Sequence, residues 1–128
     1  MNLRSFLILT FIFFMFCSCG KEEAKDMVTH VHNATIKVNV YHQQDGVNGE
    51  IIYTPVNGAI AEVYKTEYDR DNSLDVVVYH FTDSSGLAVF TGLQEDYYYL
   101  RVSHPSYGTL LDQTATPDGS VSLMQFDF

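Results

Sequence analysis

The groups able to do chemistry in this chain are few and fall into separate clusters. Cys17 and Cys19 are its only cysteines. One residue separates them and an apolar run precedes them, which leaves no room for a structural disulfide. His30, His32 and His42 are imidazoles suited to Zn²⁺ or Cu²⁺. They border a polar linking stretch, however, and no cysteine ligand accompanies them. Asp69, Asp71 and Asp75 alternate within Asp69-Arg70-Asp71-Asn72-Ser73-Leu74-Asp75 as carboxylates do in calcium loops. An EF-hand needs Gly at its sixth place and Glu at its twelfth, where Leu74 and His80 stand. The reading is therefore no metal; the three aspartates are the ligands a looser calcium loop would use, against a solvated hairpin loop. Tyr64, Tyr97 and Tyr99 alternate away from the expected core, where phenol rings can stack on a sugar or grip a protein. Such tyrosines are also common on exposed sheet faces. Ser84 and Ser85 sit in a turn and His80 on a strand, with no nucleophile–base spacing. The expectation is a chain without enzymatic activity or cofactor.

Charge narrows the partners. The formal net charge is −9 over 128 residues, and loss of Arg4 with a leader makes the remainder more acidic still. Such a surface repels phosphate backbones, which argues against nucleic acid and weakly favours cationic partners. Aromatic residues make up 14% of the chain, with nine Tyr, nine Phe and no Trp. That composition suits half-buried pleated surfaces.

Residues 1–18 have the layout of a signal peptide: Arg4, then an apolar run over residues 6–16 interrupted by Thr10. The run is short of the roughly 20 residues that span a bilayer core. Phe16-Cys17-Ser18-Cys19-Gly20 resembles the lipobox of bacterial lipoproteins, in the looser form of Bacteroidota. Phe16 stands where Leu is usual, and Cys17 where Ala or Ser is usual. The resemblance implies cleavage before Cys19, acylation of its thiol and amine (a palmitate-type anchor), and attachment to the outer membrane. Lys21-Glu22-Glu23 resembles the acidic export tag of surface lipoproteins in that group, and a solvated tether is the plainer alternative. Residues 19–33 form the tether in this reading and residues 34–128 one domain.

Within residues 34–128 the hydrophobic period is two. Ile36, Val38 and Val40 alternate with Lys37, Asn39 and Tyr41. Residues 43–49 read as a loop, and residues 51–53 as a short extra strand. Ala59, Ala61 and Val63 point inward, against Glu62 and Tyr64 outward. Residues 69–75 read as a polar loop, residues 76–82 as a strand and residues 83–86 as a turn. Tyr98, Leu100 and Val102 take the core face of the strand over residues 97–104. Residues 110–114 are ambiguous, and residues 121–128 close the domain. About seven short antiparallel strands predict an all-β sandwich.

Two stretches carry a further resemblance. Pro55-Val56-Asn57-Gly58-Ala59-Ile60-Ala61-Glu62-Val63-Tyr64, and Thr82-Asp83-Ser84-Ser85-Gly86-Leu87-Ala88-Val89-Phe90 through Leu93 to Tyr107, resemble the transthyretin-like sandwich. That fold is shared by carboxypeptidase regulatory domains and Cna protein B-type surface repeats. The resemblance implies Phe90 and Leu93 in the core and says little of function. Hydroxyisourate hydrolases of this fold end in Tyr-Arg-Gly-Ser, whereas this chain ends Gln125-Phe126-Asp127-Phe128. An isopeptide of the Cna B type would draw on Lys37, yet its catalytic Glu would fall near Val102. The resulting expectation is a non-enzymatic, lipid-anchored envelope protein with a structural or protein-binding sandwich. The alternative is an accessory glycan- or nutrient-binding lipoprotein beside an outer-membrane transporter.

Overall fold

The computed structural model describes residues 29–128. The expected leader, Cys17, Cys19 and most of the expected tether lie outside the described residues. The chain divides into two units, Met1–His30 and Val31–Phe128, and the second contains all the strands described below.

Eight strands and one short helix follow one another in that unit: β1 Ala34–Asp45, β2 Ile51–Pro55, β3 Ile60–Tyr64, α1 Glu67–Asn72, β4 Val78–Phe81, β5 Leu87–Leu93, β6 Tyr97–His104, β7 Gly108–Ala115 and β8 Val121–Asp127. One sheet joins β2, β5 and β8 to β1; the other runs β4-β3-β6-β7. The protein is an all-β sandwich of two largely antiparallel sheets, with eight strands among the described residues rather than seven. One pairing departs from the antiparallel expectation: β8 runs parallel to β1, from Thr35 opposite Val121 to Tyr41 opposite Asp127.

The core follows from the period-two pattern. Ile36, Val38 and Val40 of β1, Ala61 and Val63 of β3, and Leu100 and Val102 of β6 are all 0% exposed. Phe90 and Leu93 of β5 and Met124 and Phe126 of β8 complete the cluster. Small residues at 59, 61 and 88 leave room for Phe90 and Tyr98 between the sheets. Lys37 lies on the opposite face of β1 and is exposed. Its amine is thus outside the core that a buried isopeptide would need.

Two devices hold the strands in register. Thr82, 3% exposed, clips the β2–β3 connection to the end of β4. Its Oγ1 accepts from the Ala59 N–H at 2.9 Å and donates to the Val56 carbonyl at 2.6 Å. Gly86 sits where β5 and β2 meet along one edge of β1. Its carbonyl accepts from Val40 N–H at 2.8 Å, its φ is +74°, and a Cβ there would run into the Val40 carbonyl oxygen. Only glycine fits that position.

Residues 69–75 are not a plain loop, as the sequence reading has it. Thr66 caps α1 by accepting from Asp69 N–H at 3.1 Å. Glu67 and Asp69 occupy the first turn and Arg70 the last, as the helix dipole favours. Six residues are too few for a 3.6-residue period to show in a sequence.

Candidate binding surface at the β1–β2 ribbon

β1 is longer than the sheet that buries it. Its residues 34–39 pair with β5 on one edge while residues 35–41 pair with β8 on the other. Residues 41–45 pair with β2, and past Gln43, whose N–H still donates to the Phe128 carbonyl, the two strands run on alone as a ribbon. The expected loop over residues 43–49 is thus partly strand, and the turn itself is confined to residues 46–50. There Gly46 N–H donates to the Glu50 carbonyl at 2.6 Å.

Strand β2 places apolar side chains on both faces of the ribbon. Val47 at its tip is fully exposed, and Ile51, Ile52 and Tyr53 are 51%, 48% and 47% exposed. Adjacent residues of a strand point to opposite faces, so Ile51 and Ile52 cannot both turn inward. Large side chains left in water on both faces of one strand make the ribbon a candidate interaction surface. Tyr41 and Tyr53 touch edge to face, ring centroids 6.2 Å apart.

Aromatic rings gather at the base of the ribbon. His42 stacks on Tyr107 at 4.3 Å, His104 stacks on the same ring at 4.8 Å, and Phe128 lies 5.7 Å from it. The β6–β7 turn sets this geometry. Tyr107 N–H donates to the His104 carbonyl, and Ser106 N–H donates to His104 Nδ1 at 3.1 Å. Tyr107 is 42% exposed. Sequence reasoning missed this group, because His42 and Tyr107 meet through the fold and their spacing along the chain carries no sign of it.

The opposite end, where β1 begins, is closed by hydrogen bonds. His32 Nε2 lies 2.9 Å from the Thr116 carbonyl, and Asp118 Oδ1 accepts from Asn33 N–H at 2.8 Å. His32 Nδ1 is 3.4 Å from Asp96. His32 and His42 therefore serve opposite ends of β1. Ten residues of chain, mostly strand and roughly 30 Å, separate them, so these two imidazoles do not share one site.

The three candidate tyrosines are brought together, but not as an open platform. Tyr64 and Tyr99 are cross-strand partners on the outer face of the β3–β6 sheet, and Tyr97 meets Tyr99 edge to face at 5.3 Å. Tyr64, expected to face outward into solvent, is only 1% exposed. Tyr64 ends β3 just before the Thr66 cap, and the unforeseen helix α1 packs back against β3 and β6. From it Arg70 lies over the Tyr99 ring at 5.5 Å and donates to the Asp112 carbonyl at 3.2 Å. Burial pushes the Tyr64 hydroxyl above its ordinary value, and the Glu62 carboxylate adds to that shift. Arg101 donates to Ser73 Oγ and lies 3.8 Å from Glu62, so this face is a packed polar network. Tyr97, 40% exposed, is the member open to a ligand.

Asp71 is held by Arg70 Nε at 2.9 Å. Among the described residues no three His, Cys, Asp or Glu side chains converge on a common point. Asp69, Asp71 and Asp75 are thus not arranged as a metal cage.

No protein-family model matches this chain, and no curated protein matches it. Solved structures resemble its fold. One is the minor pilin GBS52 of Streptococcus agalactiae, with TM-score 0.55 and 16% identity over 76% of this chain. Another is the TIE protein of Bacillus anthracis, with TM-score 0.52 and 12% identity over 75% of this chain. This chain spans 44% and 16% of those two proteins. The likeness is one of fold, a β-sandwich module.

Proposed function

We propose that this protein is a non-enzymatic, lipid-anchored component of the bacterial outer membrane whose sandwich binds a protein partner at the end bearing the β1–β2 ribbon. The single observation that carries the binding reading is the two-sided exposure of Val47, Ile51, Ile52 and Tyr53. Leu123, Phe81 and Tyr79 are exposed elsewhere on the sandwich, but among the described residues only on β2 do adjacent apolar side chains on both faces of one strand lie beyond the reach of the core. The anchor is the lipobox-like Cys19, and the outer-membrane address rests on the residues beside it. Acylated chains contribute about 0.8 kcal/mol per buried methylene, so two or three of them hold a protein stably. Because everything upstream joins the sandwich through Val31, the ribbon lies at the end of β1 remote from that attachment. A tether of this length reaches roughly 20 Å, which suits display toward a neighbour in the envelope or outside it.

A glycan is the second reading, and the ring faces of His42, Tyr107 and His104 favour it. One experiment separates these readings. A photo-crosslinking residue is placed at Ile51, Tyr107 or Leu123 in the anchored protein on intact cells. A protein adduct from Ile51 and none from Leu123, on the outer face of β8, supports a partner at the ribbon. Carbohydrate adducts confined to Tyr107 would replace it with the glycan reading. The anchor is tested separately: Cys19→Ala should release the protein from membranes, whereas Cys17→Ala should leave it attached. Retention of Cys19→Ala would remove the lipoprotein reading.

A further inference from the structure

We propose that the outer edge of β2 is a strand-addition site for an extended, basic segment of a partner protein. The inference deepens the reading of the ribbon end and rests on it.

The direction of the backbone groups is fixed by the hydrogen bonds around β1. Gln43 N–H donates to the Phe128 carbonyl at 2.8 Å, and the Tyr41 carbonyl accepts from Phe128 N–H at 2.9 Å. Odd positions in this part of β1 therefore face the β8 side. Even positions face β2: His42 opposes Thr54 and Gln44 opposes Ile52. In an antiparallel pair such positions exchange their hydrogen bonds, and the intervening ones point away. Ile51 and Tyr53 thus turn both N–H and C=O to the outer edge, and Pro55 adds a carbonyl. Among the described residues, β1 is the only strand paired with β2.

Two other sheet edges are partly covered. β4 lies against β5, and Ser122 of β8 bonds the Ala115 carbonyl of β7 at 2.8 Å. Every residue of β2 is exposed, so its edge is open from both faces. Proline at the end of such a strand is a usual guard against unwanted pairing. It covers one position here and leaves two donors free.

Charge selects the occupant. No Lys or Arg occurs between Lys37 and Lys65. Asp45 and Glu50 stand at the ribbon tip, and Asp83 lies in the turn that leads to Gly86 at its base. A second copy would bring the same carboxylates, and a net charge of −9, to the same seam. An extended segment with alternating basic and apolar residues instead places cations near Asp45 and Glu50 and apolar groups on Ile51 or Ile52. Main-chain bonds then supply affinity and the alternate side chains supply selectivity.

The test uses the full chain in detergent micelles and a blocked peptide of alternating lysine and valine. Residue-resolved hydrogen exchange is read with and without the peptide. Protection of the Ile51 and Tyr53 amides is expected. Binding should weaken as ionic strength rises from about 0.01 M to about 0.15 M, where screening shortens from roughly 30 Å to 8 Å. Tyr53→Pro removes an outward donor that β1 does not use and should weaken binding by about tenfold or more. Asp45→Asn with Glu50→Gln keeps the strand and should flatten the salt dependence, so the test survives misfolding of the proline variant. Unchanged binding in both variants would overturn the inference. So would equal binding of a glutamate–valine peptide, protection along β4, β7 or β8, or concentration-dependent protection without peptide, which marks a second copy. Protection at His42 and Tyr107 alone would defeat the edge while leaving the ribbon end as the binding region. No protection anywhere at that end would defeat both.

Discussion

The two halves of β1 show how one strand serves two ends. Residues 34–40 are flanked by β5 and β8, and Ile36, Val38 and Val40 are fully buried. Residues 44 and 45 lie past the last bond to the β8 end, at Gln43; they are exposed and paired with β2. The backbone conformation is the same in both halves. What differs is the number of neighbours, and with it the share of stability each half supplies. Buried apolar area stabilises the first half, while the second is held by ladder bonds and a few cross-strand contacts. A region that contributes little to the core is free to carry an exposed surface.

The largest expected contrast comes from truncation within the buried half. Ile36→Ala deletes core volume between the sheets and should cost about 2–5 kcal/mol in chemical denaturation. A loss under about 0.5 kcal/mol would mean that this half is not the core it looks to be. Next is Gly86→Ala, at the junction of the halves. The added methyl meets the Val40 carbonyl and the positive φ persists, so a loss of about 1–3 kcal/mol is expected. If Gly86→Ala is neutral, β2 and β5 are not held against β1 as described. The smallest effect is expected from Ile52→Ala in the ribbon, within about 0.5 kcal/mol in thermal or chemical unfolding. A loss comparable to that of Ile36→Ala would show that the ribbon is part of the folding unit, and the contrast would fail.

The buried half was legible in the sequence because its chemistry repeats every two residues. Ile36, Val38 and Val40, then Tyr98, Leu100 and Val102, announce their faces, and the resemblance implies Phe90 and Leu93 in the core, where they lie. The ribbon was half legible. Ile51 to Tyr53 reads as a strand, but Gln43, Gln44 and Asp45 have poor strand propensity and become strand only because β2 lies beside them. The sequence puts Tyr64 on the correct strand but in solvent, whereas it is buried. Its cover is α1, a helix of six residues whose signals are a cap and three charges rather than a period. The stack of His42, Tyr107 and His104 was not legible, since strand ends meet there through the sandwich. The proposed lipid anchor rests on a local motif at Cys19, outside the described residues.

Hydrogen exchange of the full chain without any partner tests the contrast most directly. The Val38 amide, bonded within the sheet and covered by the core, should exchange only through global unfolding. Thr54 and Ile52, bonded to β1 in the ribbon, should exchange through local opening at an intermediate rate. The Ile51 and Tyr53 amides, turned to the outer edge of β2, should exchange close to the rate of an unstructured chain. Protection of Ile51 and Tyr53 as strong as that of Val38 would contradict the account, because the edge offered to a partner would then be closed.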